Sequence, residues 1–136
     1  MKKLIAGIYL LSLLFISCED DSLNNSEVNI NNEFAGNWLV REKSKMVGER
    51  NFEVNIEKEP SEFNKIKIWN FYALGNSDSV FANISTVEMN TFTIPYQEVR
   101  NNGIDGNGVL LDNKIEMIYY IDDGNSIDTV TATFTR

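Results

Sequence analysis

Few side chains in this sequence can do covalent chemistry, and their spacing narrows the choice further. Cys18 is the only cysteine, and it directly follows Leu14-Phe15-Ile16-Ser17, an apolar stretch that ends in a small residue. A thiol so placed suits acylation after an export signal is cut. In ordinary secretion it would be a lone thiol without a disulfide partner. Histidine is absent, which removes the commonest general base and metal ligand. Carboxylates remain. Glu57/Glu59 and Asp122/Asp123 are pairs of the kind that do glycosidase work, but Asp122-Asp123-Gly124-Asn125 reads as a hairpin turn. Asp105-Gly106-Asn107-Gly108 and the stretch from Asp122 to Asp128 carry calcium-type ligands without the register of a calcium loop. Turn chemistry accounts for both. The expectation is a chain that is not an enzyme and holds no metal or cofactor.

The segment that presents Cys18 starts with basic Met1-Lys2-Lys3 and continues in an apolar run from Leu4 to Ile16. That run is too short to span a bilayer as a helix and fits the core of an export signal. Together with Ser17-Cys18 it resembles the lipobox of bacterial lipoproteins, although Phe15 stands where leucine is most common. The resemblance implies a signal peptide over 1–17, cleavage before Cys18, and a diacylglyceryl thioether on its sulfur, usually with a second, amide-linked chain. More than one chain is what makes such anchoring durable. Glu19, Asp20 and Asp21 follow at once. As residues they open a solvated linker. They also resemble the acidic export tract of Bacteroidetes-type lipoproteins, which implies the outer membrane and exposure at the cell surface.

Loss of Lys2 and Lys3 with the signal leaves ten of the twelve basic residues against twenty acidic ones, a net charge of about −10. An acidic surface argues against nucleic acid and against anionic lipid headgroups, both of which need Lys/Arg patches. Lipid on Cys18 would then be the attachment to the membrane. Residues 18–33, rich in asparagine (Asn24, Asn25, Asn29, Asn31 and Asn32), lack the hydrophobic mass to fold and read as a disordered tether.

From 34 to 136 the pattern is strand after strand. Phe52, Val54 and Ile56 alternate with polar residues, as do Ile66 and Ile68, and Val80, Ala82 and Ile84. Phe92, Ile94 and Tyr96 share a phase; so do Ile115, Met117, Tyr119 and Ile121, and later Val130, Ala132 and Phe134. Period-two alternation with β-branched and aromatic residues is the strand signal, and no segment sustains helical spacing. Turn formers separate the runs at 74–78, Asn102-Gly103, Asp105 to Gly108 and Asp122 to Asn125. Eight or nine strands joined by hairpins predict an all-β domain, closed as an antiparallel up-and-down barrel or folded as a sandwich.

Gly36-Asn37-Trp38 at the domain's start tips the balance toward a barrel. It resembles the opening motif of lipocalins and other calycins, in which the tryptophan plugs the closed end under a late basic residue. Arg136 is the one candidate for that basic residue, so Gly36, Trp38 and Arg136 form the predicted closure. Ile66 to Phe71, Thr93 to Gln97, Gly106-Asn107-Gly108 and Met117 to Gly124 follow in order. That succession looks like the small calycin-like lipoproteins common in Bacteroidetes, and it carries no catalytic residues across.

An eight-stranded barrel is either just filled by side chains or just able to admit one small molecule. Trp38, Phe52, Phe92, Met117, Tyr119 and Phe134 are large enough to fill it. Trp69, Phe71, Tyr72, Phe81 and Tyr120 lie off the inward phase or near strand ends, where aromatics can form a contact platform. Trp69, Phe71, Tyr119 and Tyr120 are the candidate ligand-binding residues. The expected function is that of a non-catalytic, lipid-anchored envelope module binding a small apolar or glycan ligand. The alternative is a protein-interaction lipoprotein, either a hydrolase inhibitor or an accessory subunit of an outer-membrane complex. Ser22, Ser79 and Thr129 each follow aspartate and precede an apolar residue, a pattern matching Bacteroidetes-type O-glycosylation.

Overall fold

The computed structural model describes residues 32–136. The signal peptide, Cys18, the Glu19-Asp20-Asp21 tract, Ser22 and all but the end of the tether lie outside the described residues. Eight strands follow in order: β1 (Gly36–Ser44), β2 (Gly48–Lys58), β3 (Lys65–Trp69), β4 (Ser79–Ile84), β5 (Thr91–Val99), β6 (Asn102–Leu111), β7 (Lys114–Asp122) and β8 (Ile127–Thr135). Each pairs antiparallel with the next, and β1 pairs with β8, so the sheet closes into an up-and-down barrel. A single 3-10 turn, Phe71–Ala73, interrupts the connection from β3 to β4.

Alternation in the strands sorts side chains to the two faces. Buried and exposed residues alternate along β1, β7 and β8, which puts Trp38, Val40, Met117, Tyr119, Val130 and Phe134 inside. Most of the outer wall is polar, with Leu39, Tyr96, Leu111, Tyr120 and Ile127 exposed among the strand residues. One row across the strands runs Thr93, Asn107, Ile118, Thr131 and Lys43, set by the pairing registers of β5 through β8 to β1. A wall of this kind faces water, the reverse of a lipid-facing barrel with its apolar outer band.

At one end the chain seals itself. The Trp38 indole N–H donates to the Phe34 carbonyl at 2.8 Å, and the Phe34 ring meets Phe92 edge-on at 5.6 Å. Arg136 lies over the Trp38 ring at 4.2 Å and donates to the carbonyls of Ala35 (3.0 Å) and Glu33 (2.8 Å). Gly36, at φ +123°, faces the same guanidinium. One arginine therefore ties both chain ends of the domain over the ring, a cation–π arrangement worth about 0.5–2 kcal/mol.

Two turn expectations differ from the structure. Asn102-Gly103 and Asp105 to Gly108 both lie within β6, and the β5–β6 hairpin turns instead at Arg100 and Asn101, with φ of 49° and 64°. Positive φ at both central residues is the I′ geometry that matches strand twist. The strand glycines serve packing: a Cβ on Gly106 would sit 2.5 Å from Tyr119 Cβ and 2.6 Å from the Ile118 carbonyl oxygen. Neither neighbour is the free end of a side chain. Gly106→Ala is therefore expected to cost about 1–3 kcal/mol through overpacking. Urea unfolding with an unchanged slope would read it, and a loss below about 0.5 kcal/mol would refute the packing role.

The third difference is Tyr96, which is exposed rather than sharing the inward phase of Phe92 and Ile94. Only Asn83–Thr93 and Ile84–Phe92 pair between β4 and β5. The next position opposite Phe81 is Pro95, which has no N–H to give. An extra residue bulges out between Ile94 and Gln97 and inverts the phase. The Gln97 amide takes over the lost pairing: its Oε1 accepts the Phe81 N–H and its Nε2 donates to the Phe81 carbonyl, both at 2.9 Å.

Candidate functional site

The sealed end carries Trp38; the chemistry lies at the other. There the inward phase of β1 runs Trp38, Val40, Glu42, Ser44, and that of β8 begins at Asp128. Closure of β1 onto both β2 and β8 places Glu42 opposite Arg50 on one side and Ala132 on the other. Two carboxylates thus enter an apolar barrel, Glu42 with no accessible surface and Asp128 with 3%. Such burial is tolerable only when every oxygen finds a donor.

Both carboxylates are fully used. Arg50 Nε donates to Glu42 Oε1 at 2.6 Å, its Nη2 forms an ion pair with the same oxygen, and the Tyr119 hydroxyl donates to Glu42 Oε2. Asp128 Oδ2 accepts the hydroxyls of Ser44 and, at 3.4 Å, Tyr72, while Oδ1 accepts the backbone N–H groups of Lys45 (3.1 Å) and Met46 (3.3 Å). Burial, reinforced by the Glu42 charge and its hydrogen bond, pushes the Tyr119 hydroxyl far above the usual tyrosine range. Burial also raises Tyr72, with Arg50 opposing and Asp128 and Glu42 adding to the rise.

Over this cluster sits the 3-10 turn. Phe71 is buried, its ring 4.6 Å from that of Tyr119, and Tyr72 meets Tyr119 edge-on at 6.1 Å. The Arg50 guanidinium stacks on Tyr72 at 4.3 Å and donates to the Tyr72 carbonyl at 3.2 Å. Holding these rings there requires left-handed backbone at Asn70 (φ 60°), Tyr72 (φ 55°) and Ala73 (φ 54°), none of them glycine. For Tyr72 and Ala73 that conformation is strained, at about 1–3 kcal/mol each. Asn70 steadies the turn by accepting the Gly75 N–H (2.9 Å) and donating to the Glu53 carbonyl (2.8 Å). An ion pair of Arg100 with Asp78 at 2.5 Å fastens the far end of the connection.

With the turn in place, the interior is filled. Trp38, Tyr119, Phe34, Phe71, Phe134 and Ile56 each keep 2% or less of their surface accessible, which leaves no water-sized space beside them. Among the described residues, two of the concavities lie on the outer wall. One, about 720 Å³, is a furrow between polar rows, with Thr91, Thr93, Thr131, Thr133, Arg41 and Lys43 on its flanks. The other, about 300 Å³, is lined by Trp69, Asn55, Glu57 and Asn76. Although larger, the furrow draws its one aromatic, buried Phe92, from beneath the sheet, whereas the smaller concavity presents Trp69 directly beside carboxamides and a carboxylate.

Of the four aromatics expected to bind ligand, Phe71 and Tyr119 come together at the open end. Trp69 lies on the outer wall of β3, and Tyr120 points outward from β7, four strands away. Sequence reading missed Glu42, Arg50 and Ser44, and assigned Asp128 to turn chemistry, whereas it is a buried residue of β8. The available signal was phase: Glu42 and Ser44 continue the inward series of Trp38 and Val40, and Asp128 precedes that of Val130. Ser79 and Thr129 are half-buried strand residues.

The chain matches no protein-family profile and no curated protein. It is similar to solved structures in fold. A protein solved bound to DFHBI (EF1p2_mFAP2b) shares 13% identity over 79% of this chain and 97% of its own, with a TM-score of 0.53. A redesigned β barrel shares 14% over 79% and 95%, with a TM-score of 0.50. A candidate outer membrane protein of Bacteroides fragilis shares 9%, covering 79% of this chain and 53% of that one, with a TM-score of 0.49. At such identities the likeness is one of fold.

Proposed function

We propose that this chain is a non-catalytic binding module of the cell envelope, carried on lipid at Cys18, whose small ligand enters the open end of the barrel. The observation that carries the reading is the strained turn at Asn70–Ala73, which drives two aromatic side chains of a connection into a buried charged cluster. Backbone strain of this kind persists where the surroundings impose it and concentrates at ligand clamps and switches. Phe71 and Tyr72 act as a built-in occupant. They present a ring to Tyr119, a ring face to Arg50 and a hydroxyl to Asp128. The ligand that replaces them is a small, largely apolar molecule carrying a hydroxyl. At the level of fold, the similar protein solved with DFHBI bound supports the same reading.

An internal occupant lowers apparent affinity by the fraction of molecules in which it is displaced. Phe71→Ala combined with Tyr72→Ala is therefore expected to raise ligand occupancy by roughly tenfold or more. Native mass spectrometry of the protein incubated with envelope lipid extract reads this as a discrete added mass that disappears on denaturation. A bare mass for both wild type and variant would overturn the reading and favour a protein partner.

A further inference from the structure

Across the barrel from Tyr120, the outward residues of β1, β2, β3 and β4 make a row that the open end does not use. Asn37 stands opposite Asn55, Asn55 opposite Trp69, and Trp69 opposite Ser79. Two hydrogen bonds organise the row before any ligand arrives. Asn55 Nδ2 donates to Asn37 Oδ1 at 2.7 Å, and the Trp69 indole N–H donates to Glu57 Oε2 at 2.9 Å. Trp69 is thereby held half-buried as one wall of the 300 Å³ concavity, with Asn76 reaching it from the β3–β4 connection. The neighbouring outward aromatic is already engaged: the ammoniums of Lys65 and Lys67 lie 5.2 and 5.3 Å from the Phe81 ring centroid. Trp69 is the ring that lines this concavity.

From this arrangement we infer that the Trp69 concavity is a glycan-binding site that takes one pyranose ring. An indole offers a flat apolar face, and a pyranose with equatorial hydroxyls offers a matching face of axial C–H groups. Around its edge the sugar needs paired donors and acceptors at fixed spacing, and carboxamides supply both from one planar group. Asn55 and Asn76 provide them here. Glu57 keeps a second carboxylate oxygen for a hydroxyl beyond the one that holds the indole. A fatty or hydrocarbon ligand would leave those polar groups unpaired, and a polyanion would meet Glu57 on a chain of net charge −8. The site binds without chemistry, and it is separate from the open-end cluster.

Trp38 and Trp69 are the two tryptophans, and Trp38 is sealed inside. In an ¹⁵N-labelled sample of the full chain in detergent micelles, two indole N–H signals report the two rings separately. Titration with methyl β-glucopyranoside and with cellobiose is expected to move the Trp69 signal saturably, with a Kd on the order of 1 mM, and to leave Trp38 in place. Asn55→Ala, which keeps the ring, is expected to weaken binding by roughly fivefold or more. Two results would overturn the inference: a stationary Trp69 signal up to about 50 mM of either sugar, or equal affinity in Asn55→Ala. Because Trp38 reports folding in the same spectra, a collapsed variant is recognised directly, and Asn76→Ala then serves in its place.

Discussion

Arg50→Ala is expected to destabilise the barrel by about 3–5 kcal/mol, the cost of removing one partner of a buried ion pair. For a domain of this size that corresponds to a fall in Tm of roughly 15–30 °C, measurable by thermal unfolding. The reason lies in what is left behind. Glu42 has no accessible surface, and without Arg50 its charge would rest on the Tyr119 hydroxyl alone. Glu42→Ala is expected to cost less, because Arg50 keeps 29% of its side chain exposed and can turn toward water. The order of the two losses is thus part of the prediction. Replacing both residues with leucine should recover much of the loss, since well-packed apolar side chains often match a buried pair. By contrast, the exposed contacts of Arg41 and Lys43 with Glu49, at 3.5 and 3.1 Å, should be worth about 0–1 kcal/mol. If Arg50→Ala behaved like a change at Glu49, the cluster would not be the anchor of the open end.

The second large effect is alkaline. Burial, then the Glu42 charge and hydrogen bond, raise the Tyr119 hydroxyl above its ordinary value. An ordinary tyrosine titrates near 10, so below that pH the folded and unfolded chains both hold the proton and stability does not depend on it. Above about 10 the unfolded chain releases the proton and the folded one keeps it. Stability then falls as pH rises, at up to about 1.4 kcal/mol per pH unit from this one group. Tyr72, raised in the same direction chiefly by burial, adds a smaller share. Urea midpoints from about pH 8 to 11.5 should therefore decline steeply in the wild type. Tyr119→Phe should start about 1–2 kcal/mol lower, since Glu42 loses a donor, and then decline more gently. Parallel wild-type and variant curves would show that Tyr119 ionises in the folded barrel as it does in water.

Local structure was largely legible because alternation is written within each strand. Ile115, Met117, Tyr119 and Ile121 needed only their own spacing to face inward, and Val130, Ala132 and Phe134 likewise. Composition misled where one residue type serves two purposes. Asp105-Gly106-Asn107-Gly108 has turn chemistry, yet its glycines make room in β6 for Tyr119 and Phe92. The bulge that turns Tyr96 outward arises because Pro95 comes to stand opposite Phe81, a pairing that a single strand does not display.

Within the sequence lay the all-β character of the chain and most of its inward apolar set, because hydrophobic phase and turn residues act over a few neighbours; the closure by Gly36, Trp38 and Arg136 was implied by resemblance, since Arg136 reaches Trp38 from the far end of the domain. The open-end site was decided by tertiary structure alone. Tyr119 meets Glu42 across 77 residues and Ser44 meets Asp128 across 84, both contacts created when β8 closes onto β1. A carboxylate in an inward phase looks like an error of pattern until closure brings its donors. Likewise, Phe71 and Tyr72 belong to no strand, and only the finished barrel, with Arg50 and Asp128 waiting at its mouth, makes their strained conformation the stable one.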